Sequence, residues 1–453
     1  METEITRGSI LNLLSSSIIY GNLGLFIGAG FSKAVLDDDQ DLGALSWGEL
    51  IEASSSELSI DYSSIYKTGI SYPEISTLIC DKYASDNNIP YEEAKFLFKS
   101  KVCELTNWYP DSEQRGIYSE YLELMDPKWI ITTNYDLVIE SLLTGRCLSL
   151  SPQDYLTSPK EAIPVYHLHG IRHNPESIII TQEDYVKLFR PNEYRQIKLA
   201  LTIKESTSLI LGYGLGDVNV LSAVDWSKNI YKEENVSNVY PNEIVQVIRV
   251  DEPKEEPYMD KNNIIIIETN EIESFLKEFT DAHQVNLRSH VEQMEEIRRM
   301  NGELTATSDV KVNKFISDQG FRLGLLEALS KFEIHMISPF IDFLSRCIDK
   351  TWENAMPYGA FHGYNENLTV LLDIIIHIEF QKVPPALFEF VAYSLDRVLY
   401  YVGNSHGQSH QAERTWQSNK DEISREMVKE LHGFAKRQRY INLERKLGSL
   451  LIT

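Results

Sequence analysis

Cysteine is scarce in this sequence of 453 residues. The four cysteines are far apart, and no two have the spacing of zinc ligands; they are Cys80, Cys103, Cys147 and Cys347. This excludes the small secreted class that is built on a disulfide framework. We therefore expect a protein of a reducing compartment.

Long apolar runs are also missing. Even residues 368–380 are interrupted by Asp373 and Glu379, and no run reaches the roughly 18 apolar residues of a membrane span. The N-terminal segment carries Glu2 and Glu4 and lacks the basic flank of a signal peptide. The sequence thus predicts a cytoplasmic location.

Basic side chains are few, with 43 Lys and Arg against 67 Asp and Glu and a net charge of −24. The imbalance lies in residues 1–300 (net −22), whereas residues 301–453 are nearly neutral (net −2). A negative field repels phosphate backbones, so we expect no direct nucleic-acid binding by the front domain. The 43% hydrophobic content nevertheless requires a folded chain of two or three domains.

Continuous apolar runs alternate with helical segments through the first 270 residues. The runs are residues 23–27, 128–132, 162–168, 177–181, 208–211, 244–250 and 263–267. This alternation predicts an α/β fold with a doubly wound, mostly parallel, Rossmann-like sheet. Residues 47–125 lack strand-like runs, and we expect a helical insertion there.

The strand pattern stops after residue 272. A charged helical stretch over 271–300 is followed by a polar linker candidate, 301–309, and then by helix-like periodicity. We predict a front domain over residues 1–300 and an all-helical C-terminal domain over 310–453. Predicted helical stretches in the latter are 321–349, 368–380, 384–402 and 421–451.

Two motifs combine glycines with the end of a predicted strand. Residues 28–32, Gly-Ala-Gly-Phe-Ser, follow the first strand and could cradle a pyrophosphate, because glycines allow close backbone approach. Residues 212–217, Gly-Tyr-Gly-Leu-Gly-Asp, follow a later strand in the same way. In both cases a tight structural turn is the alternative, and the third glycine of the dinucleotide fingerprint is missing after the first strand.

Polar side chains follow two further strands. Asn134 and Asp136 could address one ligand together, or Asp136 could cap the next helix while Asn134 forms a turn. His167 and His169 share a strand face, but no nearby cysteine completes a metal site, and we expect no bound metal. We read His167 as structural and His169 as the better candidate for a base. All four motifs should meet in one cleft at the carboxyl edge of the sheet.

The ordered motifs GAGFS, TTNYD, HLHG and GYGLGD resemble the sirtuin superfamily, and specifically its bacterial sirtuin-like branch in antiphage defence proteins. The resemblance covers about residues 20–270. Residues 46–50 and 178–185 also look like that branch.

The resemblance implies a role for each motif. The residues implied to bind NAD+ are Gly28, Ala29, Gly30, Phe31 and Ser32 at the pyrophosphate and adjoining ribose, Thr133 beside Asn134, and Gly212, Tyr213 and Gly214 on the adenosine side. Asn134 and Asp136 would face the nicotinamide ribose and its carboxamide, with Asn134 orienting a water molecule. His169 would be the catalytic base.

Two departures from protein-deacylating sirtuins bear on the activity. No cysteine occurs between His169 and Gly212, where their zinc module lies, and the long GIPDFR-type stretch is absent. The resemblance therefore implies an NAD+ hydrolase that depletes the nucleotide in abortive infection. A non-catalytic NAD- or ADP-ribose-binding subunit is the alternative, and a protein deacylase is a weaker one. From related defence systems we also expect a homo-oligomer and a HerA-type ring ATPase as partner, contacted through residues 310–453.

Overall fold

The computed structural model describes residues 5–36, 43–154, 161–188, 194–214, 243–305, 308–332, 337–356, 361–380 and 383–451. The chain divides into two compact units, Met1–Ser289 and His290–Thr453. Within the described residues, no helix is long and apolar enough to cross a membrane.

The first unit is built on a sheet with eight strands in the described part of the chain. They are β1 (Leu23–Ile27), β2 (Trp129–Thr132), β3 (Cys147–Leu150), β4 (Ile163–His167), β5 (Thr207–Leu211), β6 (Ile244–Arg249), β7 (Tyr258–Met259) and β8 (Ile265–Thr269). Their order is β3-β4-β2-β1-β5-β6-β8-β7, and only β7 runs antiparallel to its neighbour. The chain winds outward from β1 in one direction and returns to β5 on its other side, which confirms the doubly wound, mostly parallel sheet.

The described helices of the first unit lie on the two faces of this sheet and in the insertion between β1 and β2, and the last of them continues into the second unit. They are α1 (Arg7–Ile19), α2 (Ala29–Leu36), α3 (Trp47–Glu57), α4 (Tyr72–Asn87), α5 (Tyr91–Leu105), α6 (Ser112–Met125), α7 (Val138–Leu142), α8 (Gln182–Leu188), α9 (Tyr194–Lys204) and α10 (Ile272–Thr305). All five residues of β1 are buried; Leu25 faces one apolar core and Phe26 the other. Burial on both faces explains why its sequence is a continuous apolar run without alternation.

The predicted helical insertion is present as α3 to α6. Ser46 starts α3 with a capping box, in which its hydroxyl and the Glu49 carboxylate bond each other's backbone N–H groups. The insertion has its own apolar core, and this core also holds Tyr135, Ile178 and Ile180 from segments that follow strands of the sheet. The insertion is therefore packed directly on the loops that carry two of the sequence motifs.

The prediction of a strand over residues 177–181 is wrong. Pro175–Ser177 form a 3₁₀ turn, and the Ile179 N–H then bonds the His169 carbonyl at 2.7 Å. The Asp184 carboxylate accepts the N–H groups of Ile180 and Thr181. Backbone donors satisfied in this way do not enter a strand ladder, and the apolar side chains serve the insertion core instead. Strands β3 and β7 were not predicted, because both are short and lie at the sheet edges.

The second unit is helical in its described residues. After the end of α10 come α11 (Asp309–Ser317), α12 (Gln319–Phe332), α13 (Ile337–Ala355), α14 (His362–His377), α15 (Pro385–Leu399), α16 (His410–Asn419), α17 (Arg425–Gln438) and α18 (Ile441–Leu451). Residues 301–305 belong to α10 and are not a linker, because Leu304 is buried in the apolar core of this unit. The stretches predicted over 321–349 and 421–451 each contain two helices. The second break lies at Arg439, whose backbone is left-handed (φ 60°).

Candidate active site

The ends of four neighbouring strands are paired side by side in the sheet. Ile27 at the end of β1 pairs with Thr132 of β2 on one side and with Leu211 of β5 on the other, and Thr132 pairs in turn with His167 of β4. Two of the four sequence motifs, GAGFS and GYGLGD, continue directly from Ile27 and Leu211, and the other two, TTNYD and HLHG, begin with Thr132 and His167 themselves. The motifs therefore leave the sheet side by side, at the point where its strand order reverses, which is where open α/β sheets bind ligands.

The two glycine motifs are interlocked. The Gly30 N–H donates to the Gly212 carbonyl at 2.8 Å, and a Cβ on Gly28 would lie 2.5 Å from the same oxygen. Gly212 has a φ of +61°, and a Cβ there would lie 2.0 Å from the backbone nitrogen of Phe31. These glycines are thus required by the close approach of the two turns, independently of any ligand.

Ser32 joins the two polar residues that follow β2. Its hydroxyl lies 3.2 Å from both carboxylate oxygens of Asp136, and the Asn134 Nδ2 donates to it at 3.0 Å. The Asn134 N–H also bonds the Thr132 hydroxyl, and Asp136 accepts the N–H of Val138 as α7 begins. Asp136 therefore does both things considered from the sequence: it satisfies a donor at a helix start and it lies at the candidate site.

The Asp136 carboxylate is almost completely buried. Burial raises its pKa to about 6, although the bond from the Val138 N–H and the charge of nearby His167 act in the opposite direction. A carboxyl group with such a pKa at a strand tip is a recurrent property of functional sites, although structural networks also produce it.

His169 is held by its backbone and by aromatic neighbours. Its carbonyl accepts the Ile179 N–H, and the next residue, Gly170, has a φ of +101° that lets the chain pass against Ser177. The Tyr185 hydroxyl lies 3.5 Å from His169 Nδ1, and the two rings meet edge to face. The imidazole is thereby placed beside Asn134 and Asp136 in one cleft.

This cleft has a volume of about 420 Å³, within the range of small-molecule sites. The residues that line it are Ala29, Leu45, Trp47, Leu50, Tyr72, Thr106, Trp108, Thr133, Asn134, Tyr135, Asp136, His169, Gly212, Tyr213 and Gly214. Polar groups from the strand ends thus share one cavity with apolar and aromatic side chains from the insertion.

Comparison with known proteins gives this cleft a family context. Residues 128–267 match the model of the SIR2-like domain. The chain contains a SIR2-like domain. It is also similar to defense-associated sirtuin 2 of Bacillus subtilis, with 22% identity over 222 residues, which cover 47% of this chain and 20% of that relative. The match thus spans about a fifth of the relative's length.

The SIR2-like match contains Asn134, Asp136, His169 and the Gly212 turn. Eight of the residues implied by the resemblance line the cleft: Ala29, Thr133, Asn134, Asp136, His169, Gly212, Tyr213 and Gly214. The other four are not among its lining residues; Gly28 and Gly30 pack on the Gly212 turn, Phe31 is buried in the sheet core and Ser32 bonds Asn134 and Asp136. Residues 215–217 of the last motif lie outside the described residues.

Sequence reasoning missed the contribution of the insertion to the cleft in the SIR2-like domain. Trp47, Tyr72 and Trp108 line the cavity from helices and a loop whose sequence has no ligand-like pattern. The signal nearest to them was the segment at residues 46–50, which resembles the defence branch and contains Trp47. The remaining lining residues could be found only from the packing of the insertion on the strand ends.

The two neighbouring histidines have different surroundings. His167 has both ring nitrogens in hydrogen bonds to the protein, with the Asn134 carbonyl and with Glu140. Within the described residues, no group of three or more His, Cys, Asp or Glu side chains could hold a metal ion. The expectation of a site without a bound metal remains a prediction.

Proposed function

We propose that this chain is an NAD+ glycohydrolase that cleaves the bond between nicotinamide and ribose. The observation that carries the proposal is the convergence of Asn134, Asp136 and His169 in one cleft at the switch point of the sheet, in a SIR2-like domain. Gly212 and Gly214 line the same cleft and would let a dinucleotide approach the backbone closely.

The reaction breaks the bond between ribose C1′ and the pyridinium nitrogen, whose electron pair goes to the departing nicotinamide. Water adds to C1′ and loses a proton, so that NAD+ and water give nicotinamide, ADP-ribose and H+. The transition state resembles an oxocarbenium ion, and catalysis then requires mainly positioning of the water and of the ribose.

Asn134 is well suited to orient the water. Its Nδ2 is used by Ser32, and its side-chain oxygen accepts no hydrogen bond within the described residues, so this oxygen is available in the cleft. His169 would contact the ribose hydroxyls and accept the proton, while Asp136 would hold the nicotinamide carboxamide. The lack of a cysteine between His169 and Gly212 favours hydrolysis of NAD+ over protein deacylation.

We further propose a role in antiphage defence, by depletion of cellular NAD+ on infection. This rests on the similarity to a relative that is named a defense-associated sirtuin, and on the motifs shared with that branch. A HerA-type ATPase partner and a homo-oligomer belong to the same proposal and rest on the resemblance alone.

The test is to incubate the purified chain with NAD+, with and without an acylated peptide, and to measure nicotinamide and ADP-ribose. We expect both products in equal amounts without the peptide. Nicotinamide that appears only with the peptide, together with O-acyl-ADP-ribose and deacylated peptide, would identify a deacylase, and tight ADP-ribose binding without turnover would identify a binding subunit.

Substitutions locate the activity in the cleft. Asn134→Ala and His169→Ala should each lower kcat by about a hundredfold, as loss of a positioned water or a base usually does. The matched controls are Asn87→Ala and His173→Ala, which change exposed residues of the same types. Near wild-type turnover in either site variant would contradict the role given to that residue.

A further inference from the structure

His167 lies beneath the cleft and is not among the residues that line it. Its ring is buried, with Nδ1 at 2.9 Å from the Asn134 carbonyl and Nε2 at 2.7 Å from Glu140 Oε1. Because a carbonyl oxygen only accepts, Nδ1 must carry a hydrogen and donate it. Glu140 also accepts the Ser149 hydroxyl at 2.7 Å, which fixes the carboxylate from β3.

The histidine and the glutamate form a charged pair. Burial works against the charge of each, but their mutual hydrogen bond and attraction prevail, so the pKa of His167 is raised and the pKa of Glu140 is lowered. The two partners of the ring, a carbonyl oxygen and a carboxylate oxygen, both accept hydrogen bonds, so the ring donates from both nitrogens. Removing either charge alone would leave the other buried without its partner.

Asn134 is held at three points, and His167 supplies one of them. The Asn134 N–H bonds the Thr132 hydroxyl, its Nδ2 bonds Ser32, and its carbonyl accepts the His167 ring hydrogen. The first two contacts come from short side chains, Thr132 at the end of β2 and Ser32 in α2. The third comes from a rigid ring whose far side is anchored to α7 through Glu140.

We propose that His167, held by Glu140, is a positioning residue that fixes the backbone of Asn134 and thereby aims its side-chain amide into the cleft. The inference rests on the proposed NAD+ cleavage, in which that amide orients the attacking water. A buried ion pair is a weak source of stability compared with apolar side chains of the same volume, so packing alone gives no reason for charge at this position.

Two substitutions of the same histidine separate its two bonds. His167→Asn places an amide nitrogen near the position of Nδ1 and can still donate to the Asn134 carbonyl. His167→Gln places it near Nε2 and keeps the bond to Glu140 while it releases Asn134. Because either substitution removes the positive charge and would leave the Glu140 carboxylate buried without its partner, each is combined with Glu140→Gln, whose amide oxygen can still accept a hydrogen bond.

The readout is kcat and KM for nicotinamide release, with thermal unfolding measured in parallel. We expect His167→Gln/Glu140→Gln to lower kcat by about a hundredfold with little change in KM, since a displacement of about 1 Å at a reacting group has an effect of this size. His167→Asn/Glu140→Gln should stay within about tenfold of wild type, because it keeps the bond to Asn134. Unchanged kcat in His167→Gln/Glu140→Gln, or equal losses in the two double variants, would overturn the proposal.

Crystal structures of the same two variants keep the proposal testable if the wild-type chain releases no nicotinamide, an outcome that would refute the proposed function itself. The Asn134 carbonyl should move by about 1 Å in His167→Gln/Glu140→Gln and stay in place in His167→Asn/Glu140→Gln. An Asn134 loop that is unmoved in both would refute the positioning role without bearing on NAD+ cleavage.

Discussion

Asp136 combines a structural contact with a strongly disfavoured charge. Its carboxylate accepts bonds from Ser32 and from the Val138 N–H, yet burial raises its pKa to about 6. The carboxyl pKa is thus higher in the folded chain than the ordinary value of 3.8. The folded state then holds its proton more tightly than the unfolded state, and stability contributed by the protonated form is lost as pH rises from about 4 to about 6.

This sign leads to a prediction for Asp136→Asn. At pH 7.5 the neutral amide removes the cost of a buried charge, so the free energy of unfolding should rise by up to about 3 kcal/mol, while at pH 4 the gain should vanish. Denaturant unfolding at the two pH values measures it, with Asp126→Asn as an exposed control. A variant that is less stable than wild type at pH 7.5 and equal to it at pH 4 would show that the carboxylate stabilises the fold.

At the scale of elements, the sequence predicted the strands that are continuous apolar runs. The β1, β2, β4 and β5 runs are buried on both faces and read as strands, and their polar ends identified Asn134, Asp136 and His169. Residues 177–181 have the same composition as a strand and fail as one, because their donors are taken by His169 and Asp184. Neither these hydrogen bonds nor the approach of Trp47 and Tyr72 to the cleft can be predicted from the order of apolar and polar residues in the sequence.

Gly212 and Gly214 belong to the same turn but differ in their surroundings, so they provide a matched pair of substitutions. Gly212→Ala requires a left-handed backbone and places a methyl group 2.0 Å from the Phe31 nitrogen, whereas a Cβ on Gly214 meets nothing within 4 Å. The backbone conformation alone costs about 1–2 kcal/mol, and the clash adds to it. We expect Gly212→Ala to lower the melting temperature clearly and to weaken ADP-ribose binding, and Gly214→Ala to leave the melting temperature near wild type. Equal melting temperatures of the two variants would mean that the Gly212 turn can move away from the turn at residues 28–32 at little cost in stability.

A buried ionic cluster ties the insertion to the His169 side of the cleft. Lys95 and Lys99 of α5 both contact Asp184 of α8, at 3.0 and 2.9 Å, and all three side chains are nearly inaccessible. Asp184→Ala would leave the buried Lys99 ammonium without a carboxylate and Lys95 with only Glu183, 3.8 Å away, and should reduce the free energy of unfolding by about 3–5 kcal/mol. Glu183→Ala is the control, since its half-exposed carboxylate should contribute at most about 1 kcal/mol. Equal losses measured by denaturant unfolding would argue against the importance of the cluster.

At the scale of the whole molecule, charge and surface chemistry differ along the chain. Residues 1–300 carry a net charge of −22 and residues 301–453 a net charge of −2. Electrostatic self-repulsion is weakest on a nearly neutral surface, which favours the helical part as the site of self-association. An NAD+ hydrolase must also be restrained in its host, and we propose that assembly through residues 310–453 provides that control.

Some aromatic side chains of the helical part lie in its core, and others lie on its surface. Phe340 and Phe343 are completely buried in its core, and Phe388 and Phe390 pack against it, whereas Tyr393 is 48% and Tyr400 62% exposed. Tyr393 lies within α15, and Tyr400 follows its last residue with a helical backbone; seven residues make about two helical turns, so the two tyrosines point to the same side. Exposed tyrosines on one side of a helix are typical of protein interfaces.

The full-length variant Tyr393→Ser/Tyr400→Ser tests this surface. If self-association uses it, light scattering across a concentration series should show a shift toward the monomer mass of 52.0 kDa, while thermal unfolding stays near wild type because neither side chain is in the core. Tyr20→Ser, which changes a 64% exposed tyrosine of the first unit, should leave the assembly unchanged. The loss of both large rings removes contact area that aromatic anchors usually supply, so an effect of at least about tenfold on the association constant is expected. An unchanged mass distribution in the double variant would place the association surface elsewhere, and a wild-type chain that stays monomeric at all concentrations would refute self-association altogether.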